Sequence, residues 1–131
     1  KERYPIDTDK ISVIGMSLGG FGTFTLATKY YDKLSAGMML CGGNTNEQYC
    51  GLTKMPFWIM HGTADNAVPI SRSNSIVAGM IACGDTSRLI YTKLQGYTRK
   101  RHLGYGQRSP SPLGRRRSGA YGQEIRHNEP L

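Results

Sequence analysis

Short apolar runs at 11–14 ("ISVI"), 36–43 ("AGMMLCGG"), 57–62 ("FWIMHG") and 88–94 ("RLIYTKL") constrain the fold of this chain more than anything else in it. The first is a short β-branched run that reads as a buried strand, the second and third are continuous rather than alternating, the pattern of strands buried on both faces, and the last supplies a fourth strand. Between the first two, Phe21, Phe24, Ala27 and Tyr31 recur at helical spacing. Between the last two, Ile76, Val77, Met80 and Ile81 form a second helical stripe, with Ser71 or Ser73 as its N-cap and Gly84 as its C-terminal stop. Strands separated by helices or long crossovers predict a mostly parallel sheet of the α/β class. The 131 residues are one domain's worth of chain, short for the larger α/β enzymes.

The pattern stops at Thr98. Residues 99–131 contain three leucines and one isoleucine among interleaved Gly, Pro, Ser and Arg, and read as a low-complexity, disordered tail. Charge divides at the same place. Residues 1–98 hold nine Lys/Arg against seven Asp/Glu, and residues 99–131 hold eight against two, so most of the net +8 sits in the tail. A basic tail with Tyr105 and Tyr121 nearby offers phosphate contacts and stacking, the alternative function being a non-catalytic protein that grips nucleic acid or an anionic surface. No nucleic-acid motif accompanies that charge, which favours a solvated tail instead. Cys41, Cys50 and Cys83 are an odd number without metal-ligand spacing, arguing against a zinc site or a disulfide framework and leaving a Cys41–Cys50 bridge open. No stretch is long and apolar enough to span a membrane. The Lys1-Glu2-Arg3 start reads as that of an internal or partial segment.

Two motifs carry chemistry. "GMSLG", residues 15–19, is a G-x-S-x-G placed between a predicted buried strand and a predicted helix. In that setting a strained turn lifts the hydroxyl of Ser17 above the sheet edge. Gly15 and Gly19 are expected where a side chain would strike backbone, and the Leu18 N–H, at the positive end of the helix dipole, can meet a developing oxyanion. The second motif is "HGTADNAVP", residues 61–69, which puts Asp65 just past a buried strand. There it can orient a histidine, or simply bond nearby backbone as a turn aspartate. His61 precedes a glycine at a strand end and reads as a positioning residue rather than a base, because a triad in the order Ser, Asp, His needs its histidine later.

With "DTDKISVIGMSLGGFGTFTLATKYYDKLSAGMMLCGGN", "MPFWIMHGTADNAVPISRS" and "RLIYTKLQGYT" in this order, residues 4 to 98 resemble the α/β-hydrolase superfamily. The dienelactone-hydrolase and prolyl-oligopeptidase-like esterases, a group of predicted peptidases and carboxylesterases, are the nearest in pattern. The resemblance implies a partial α/β-hydrolase domain over residues 1–98, its C-terminal portion, lacking the family's earlier strands and the second oxyanion donor they carry. It also implies Ser17 as nucleophile, Leu18 as an oxyanion-hole amide, Asp65 as the triad acid, an ester or peptide substrate, and no metal or organic cofactor. In the family the histidine follows the last strand, in a segment like Y-P-G-x-x-H. Here "LQGYT" runs into Arg99, which is always charged and cannot act as a base. His102 is the candidate replacement and His127 lies further on, but Lys100 and Arg101 oppose an imidazolium at His102. A shift of reading frame also accounts for the break: with Thr98-Arg99 encoded as ACA-CGN, reading one base later begins CAC, a histidine codon. The expectation is a serine hydrolase segment, weak or inactive as written.

Overall fold

The computed structural model describes residues 4–98 and the backbone of residues 123–126. Strand β1 (Ser12–Met16) leads into helix α1 (Leu18–Tyr30), then β2 (Ala36–Leu40), a 3₁₀ turn (Cys50–Lys54), β3 (Phe57–Gly62), α2 (Ser71–Ala82) and β4 (Leu89–Leu94). These four strands lie side by side in chain order and all run parallel. A fifth strand, β5 (Gln123–Arg126), pairs antiparallel with β4. The predicted parallel α/β architecture is the one observed. Within the segment read as a tail, residues 123–126 form a strand; Arg99, His102, His127 and the rest of that segment lie outside the described residues.

Because each strand is placed beside the last in one direction, right-handed crossovers put every connection on the same face of the sheet. That face is the core. Phe24 and Ala27 of α1, Leu52 and Met55 of the β2–β3 connection, and Ile76, Val77 and Met80 of α2 pack on Met39, Phe57, Ile59, Leu89 and Tyr91 of the strands. Each large apolar side chain sealed in this way stabilises the fold by roughly 1.5–3 kcal/mol. The opposite face carries a continuous row, since Ile14 is in register with Met38, Met38 with Trp58, and Trp58 with Ile90. None of these four is buried, and they line a shallow apolar groove of about 370 Å³.

Three details differ from the sequence reading. Neither Ser71 nor Ser73 caps α2: its N-cap is Ile70, without a side-chain cap, and Ser73 is turned into the core. Ile81, placed on the buried stripe by periodicity, is 46% exposed because the described residues put no element over the last turn of α2 at that angle. Cys50 is bonded to Cys83, not to Cys41, which is fully buried. Gly84 does follow the helix in a left-handed conformation, φ +106°.

Candidate active site

With β1 ending at Met16 and α1 starting at Leu18, Ser17 alone makes the turn between them. Its φ of 56° and ψ of −118° lie outside the regions open to an ordinary L-residue, at a cost on the order of 1–3 kcal/mol. Neighbouring strand and helix hold it there. The Ser17 N–H donates to the Leu40 carbonyl at the end of β2 (2.9 Å), and the Ser17 carbonyl accepts from the Phe21 N–H (3.2 Å). Tight approach completes the clamp. A Cβ on Gly15 would stand 2.1 Å from the Gly19 carbonyl oxygen, and one on Gly20 would stand 2.8 Å from the Gly42 Cα. A Cβ on Gly19 would meet nothing within 4 Å among the described residues outside its own turn of helix, so the expectation that a side chain at Gly19 would collide with backbone is corrected: the residue that plays this part is Gly20. Leu18 follows as the first residue of α1, 84% exposed, where a helix leaves its N–H groups without intrahelical partners.

Asp65 sits in the loop after β3, at the same carboxyl edge of the sheet, and is buried. Its Oδ1 accepts from the Ala67 N–H (2.9 Å) and the Val68 N–H (3.0 Å), fixing the carboxylate by its own loop. The turn role anticipated for an aspartate here is therefore real. Oδ2 lies 3.9 Å from Nε2 of His61.

His61 is fully buried and bonded on both ring nitrogens. Nε2 is 2.8 Å from the Val68 carbonyl, which can only accept, so Nε2 carries the hydrogen. Nδ1, 2.7 Å from Ser73 Oγ, then accepts the hydroxyl hydrogen in the neutral ring. One imidazole thus joins the end of β3, the Asp65 loop and the first turn of α2. This is the positioning place assigned to His61 by sequence.

The turn after β4 is tied to the Asp65 loop. Thr63 Oγ1 accepts from the Gly96 N–H (2.9 Å), the Thr63 N–H donates to Leu94, and the Ala64 N–H donates to the Tyr97 carbonyl (3.3 Å). The chain leaving β4, where the resemblance locates a histidine, therefore starts against the Asp65 loop. Among the described residues no group of His, Cys, Asp and Glu is arranged to hold a metal, and no helix is long and apolar enough to cross a membrane.

A strained serine between a parallel strand and a helix, with a fixed aspartate at the same edge two strands away, defines an α/β protein with a sharp strand-to-helix turn at the carboxyl edge of its sheet. Comparison with solved structures agrees. A thermostable esterase superposes with a TM-score of 0.67 at 27% identity, covering 76% of this chain and 26% of that one. A PHB depolymerase complexed with an R3HB trimer gives 0.61 at 15% identity, covering 71% and 40%. The acylaminoacyl peptidase of Pyrococcus horikoshii gives 0.62 at 16% identity, covering 74% and 21%. No protein-family model and no curated protein matches the sequence. The fold is that of the α/β-hydrolase superfamily, and the chain spans from about a fifth to two fifths of the length of these structures.

Proposed function

We propose that the chain is the nucleophile-and-acid portion of a serine hydrolase that cleaves carboxylic esters through an acyl-enzyme, with peptide bonds as the second substrate class. The observation that carries this reading is the one-residue turn at Ser17, held between a parallel strand and a helix in a conformation that costs energy. In the proposed reaction Ser17 Oγ attacks the carbonyl carbon and its proton passes to a base. The Leu18 N–H meets the oxyanion, Asp65 steadies the protonated base, and water then releases the acid. No metal or organic cofactor takes part. The base belongs to the segment after β4. His102 is the candidate there and Arg99 cannot serve, so turnover by this chain is expected to be weak. In the family a second oxyanion donor comes from a loop after an earlier strand, which makes an N-terminal half of the domain the natural partner of this segment.

The test is labelling of the whole chain with a fluorophosphonate probe, beside Ser17→Ala and His102→Ala, together with hydrolysis of p-nitrophenyl acetate and butyrate. Slow labelling that vanishes in Ser17→Ala supports the nucleophile, and loss in His102→Ala assigns the base. Equal labelling of wild type and Ser17→Ala, or none of a folded wild type, overturns the reading.

A further inference from the structure

The connection between β2 and β3 runs across the helix-covered face as a strap, residues 44–54, between α1 and α2. Its attachment to α1 is spread over several contacts. Thr45 shares a hydrogen bond with Thr25 (2.8 Å), Asn46 Nδ2 donates to Thr28 (3.4 Å), and the Tyr49 and Phe24 rings meet at 6.0 Å. The first part of the strap is polar: of residues 44–51 only Tyr49 is a large apolar side chain. Leu52, fully buried in the same core cluster as Ile76, Val77 and Met80, ties its later part to α2, and two contacts nearer the C-terminal end of the helix add to that hold. The Tyr49 ring packs so close to Gly79 that a Cβ there would collide with it, and Cys50 is bonded to Cys83 at the C-cap of α2. The other end of α2 is held separately, by Ser73 on His61 and by Asn74 accepting from the Tyr91 hydroxyl (2.7 Å).

From this arrangement we infer that the Cys50–Cys83 disulfide is an oxidation-installed lock joining the strap to α2, so that the chain reaches its working fold in an oxidising compartment and loosens at α2 when reduced. Forming the lock removes two protons and two electrons from the two thiols as the S–S bond is made, with a disulfide donor, oxidised glutathione or a thiol–disulfide oxidoreductase, accepting the electrons. Lasting disulfides of this kind belong to oxidising surroundings, because cytosolic thiol systems keep such pairs reduced. Access favours this pair alone. Cys50 is exposed and Cys83 half-buried, whereas Cys41 is sealed in the core and beyond the reach of a soluble thiol. The lock closes a span of 33 residues that contains β3 and the Asp65 loop, so it also limits how far that loop can move from the α1 side of the sheet. It acts whether or not Ser17 turns over esters.

The experiment uses the whole chain purified without reductant. Native alkylation followed by peptide mapping is expected to find Cys50 and Cys83 in one linked peptide, and Cys41 alkylated only after unfolding. Hydrogen exchange is then followed with and without a phosphine reductant. Amides of 44–54 and 76–83 should exchange faster by about tenfold or more on reduction, through local opening. Cys50→Ser/Cys83→Ser should match the reduced wild type and ignore the reductant. Collapse of the whole fold on reduction supports the lock in a stronger form, and reduction of folded wild type answers the question if the double variant does not fold. Alkylation of Cys50 and Cys83 in the unreduced protein, a linked peptide containing Cys41, or exchange indifferent to reduction each overturns it.

Discussion

Ser73 Oγ donates to Nδ1 of His61 across 2.7 Å inside the core, and both residues are completely buried. The Val68 carbonyl, which can only accept, sets the tautomer at Nε2, and the Ser73 hydroxyl holds the ring in the place from which it ties down the loop that carries Asp65. Ser73→Ala would leave a buried ring acceptor without a donor, a loss of about 1–3 kcal/mol. Urea unfolding is the measurement. A drop below about 0.5 kcal/mol, the range of an ordinary surface change, would mean that the hydroxyl is not holding the ring.

The turn at Ser17 makes a sharper comparison between adjacent glycines. Gly19→Ala meets nothing within 4 Å outside its own turn of helix and replaces a glycine in the first turn of α1. It should be neutral or stabilising, by up to about 1 kcal/mol. Gly20→Ala drives a methyl into Gly42, and Gly15→Ala drives one into the Gly19 carbonyl. Both obstacles are backbone, which cannot rotate away, so each should cost on the order of 1–3 kcal/mol or more and slow probe labelling of Ser17. Equal stability of the Gly19 and Gly20 variants would refute the close packing of α1 on the β2 turn.

Tyr91 gives the fold an alkaline limit. Burial pushes its phenol up from about 10 to about 12, and the hydroxyl also donates to Asn74. A folded-state value above the unfolded one means that the native chain binds the proton more tightly. Stability from this group is therefore complete below pH 10 and is lost as pH rises through about 12. Wild type should lose stability across that window, while Tyr91→Phe, although weaker at neutral pH for want of the Asn74 bond, should lose less. Ultraviolet titration of tyrosinate with parallel urea unfolding checks both. A Tyr91 that titrates with the exposed tyrosines would defeat the prediction.

Much of this fold is legible in residues that repeat a period. The apolar runs and the stripe of Ile76, Val77 and Met80 place the strands and both helices, because short apolar runs and a buried helical stripe leave a pattern in neighbouring positions. Burial on both faces, which the continuous runs at 36–43 and 57–62 predict, is corrected: among the described residues one face is covered, and Met38 and Trp58 point to the other. Ser17 is legible for a different reason: the glycines around it record backbone crowding at a turn. What is not legible depends on partners distant in sequence. Ser73 reads as a helix cap because its true partner, His61, is twelve residues earlier on another element. Gly20 gains its role from Gly42, and Cys50 meets Cys83 across 33 residues, with no local spacing to announce either contact. Leucine- and isoleucine-poor composition likewise gives no notice of β5, whose backbone pairs with the edge of β4.

The exposed row of Ile14, Met38, Trp58 and Ile90 leads to the last prediction. A parallel sheet is ordinarily covered on both faces, yet the described residues cover only one. Ile14 is 68% exposed and Trp58 37%, although Trp58 does anchor its indole N–H on Thr92 (2.9 Å). An apolar strip of this kind attracts hydrophobic dyes and other copies of itself. Ile14→Asp places a charge at the β1 end of the row, beside Met38, while removing little buried surface, so stability should change by less than about 1 kcal/mol. Dye fluorescence should fall, and sedimentation should show less concentration-dependent association than wild type. Trp58 emission should shift toward that of a more polar environment. If the substitution unfolds the chain, or leaves dye binding and association untouched, the row is already covered in solution and the face is not available to a partner.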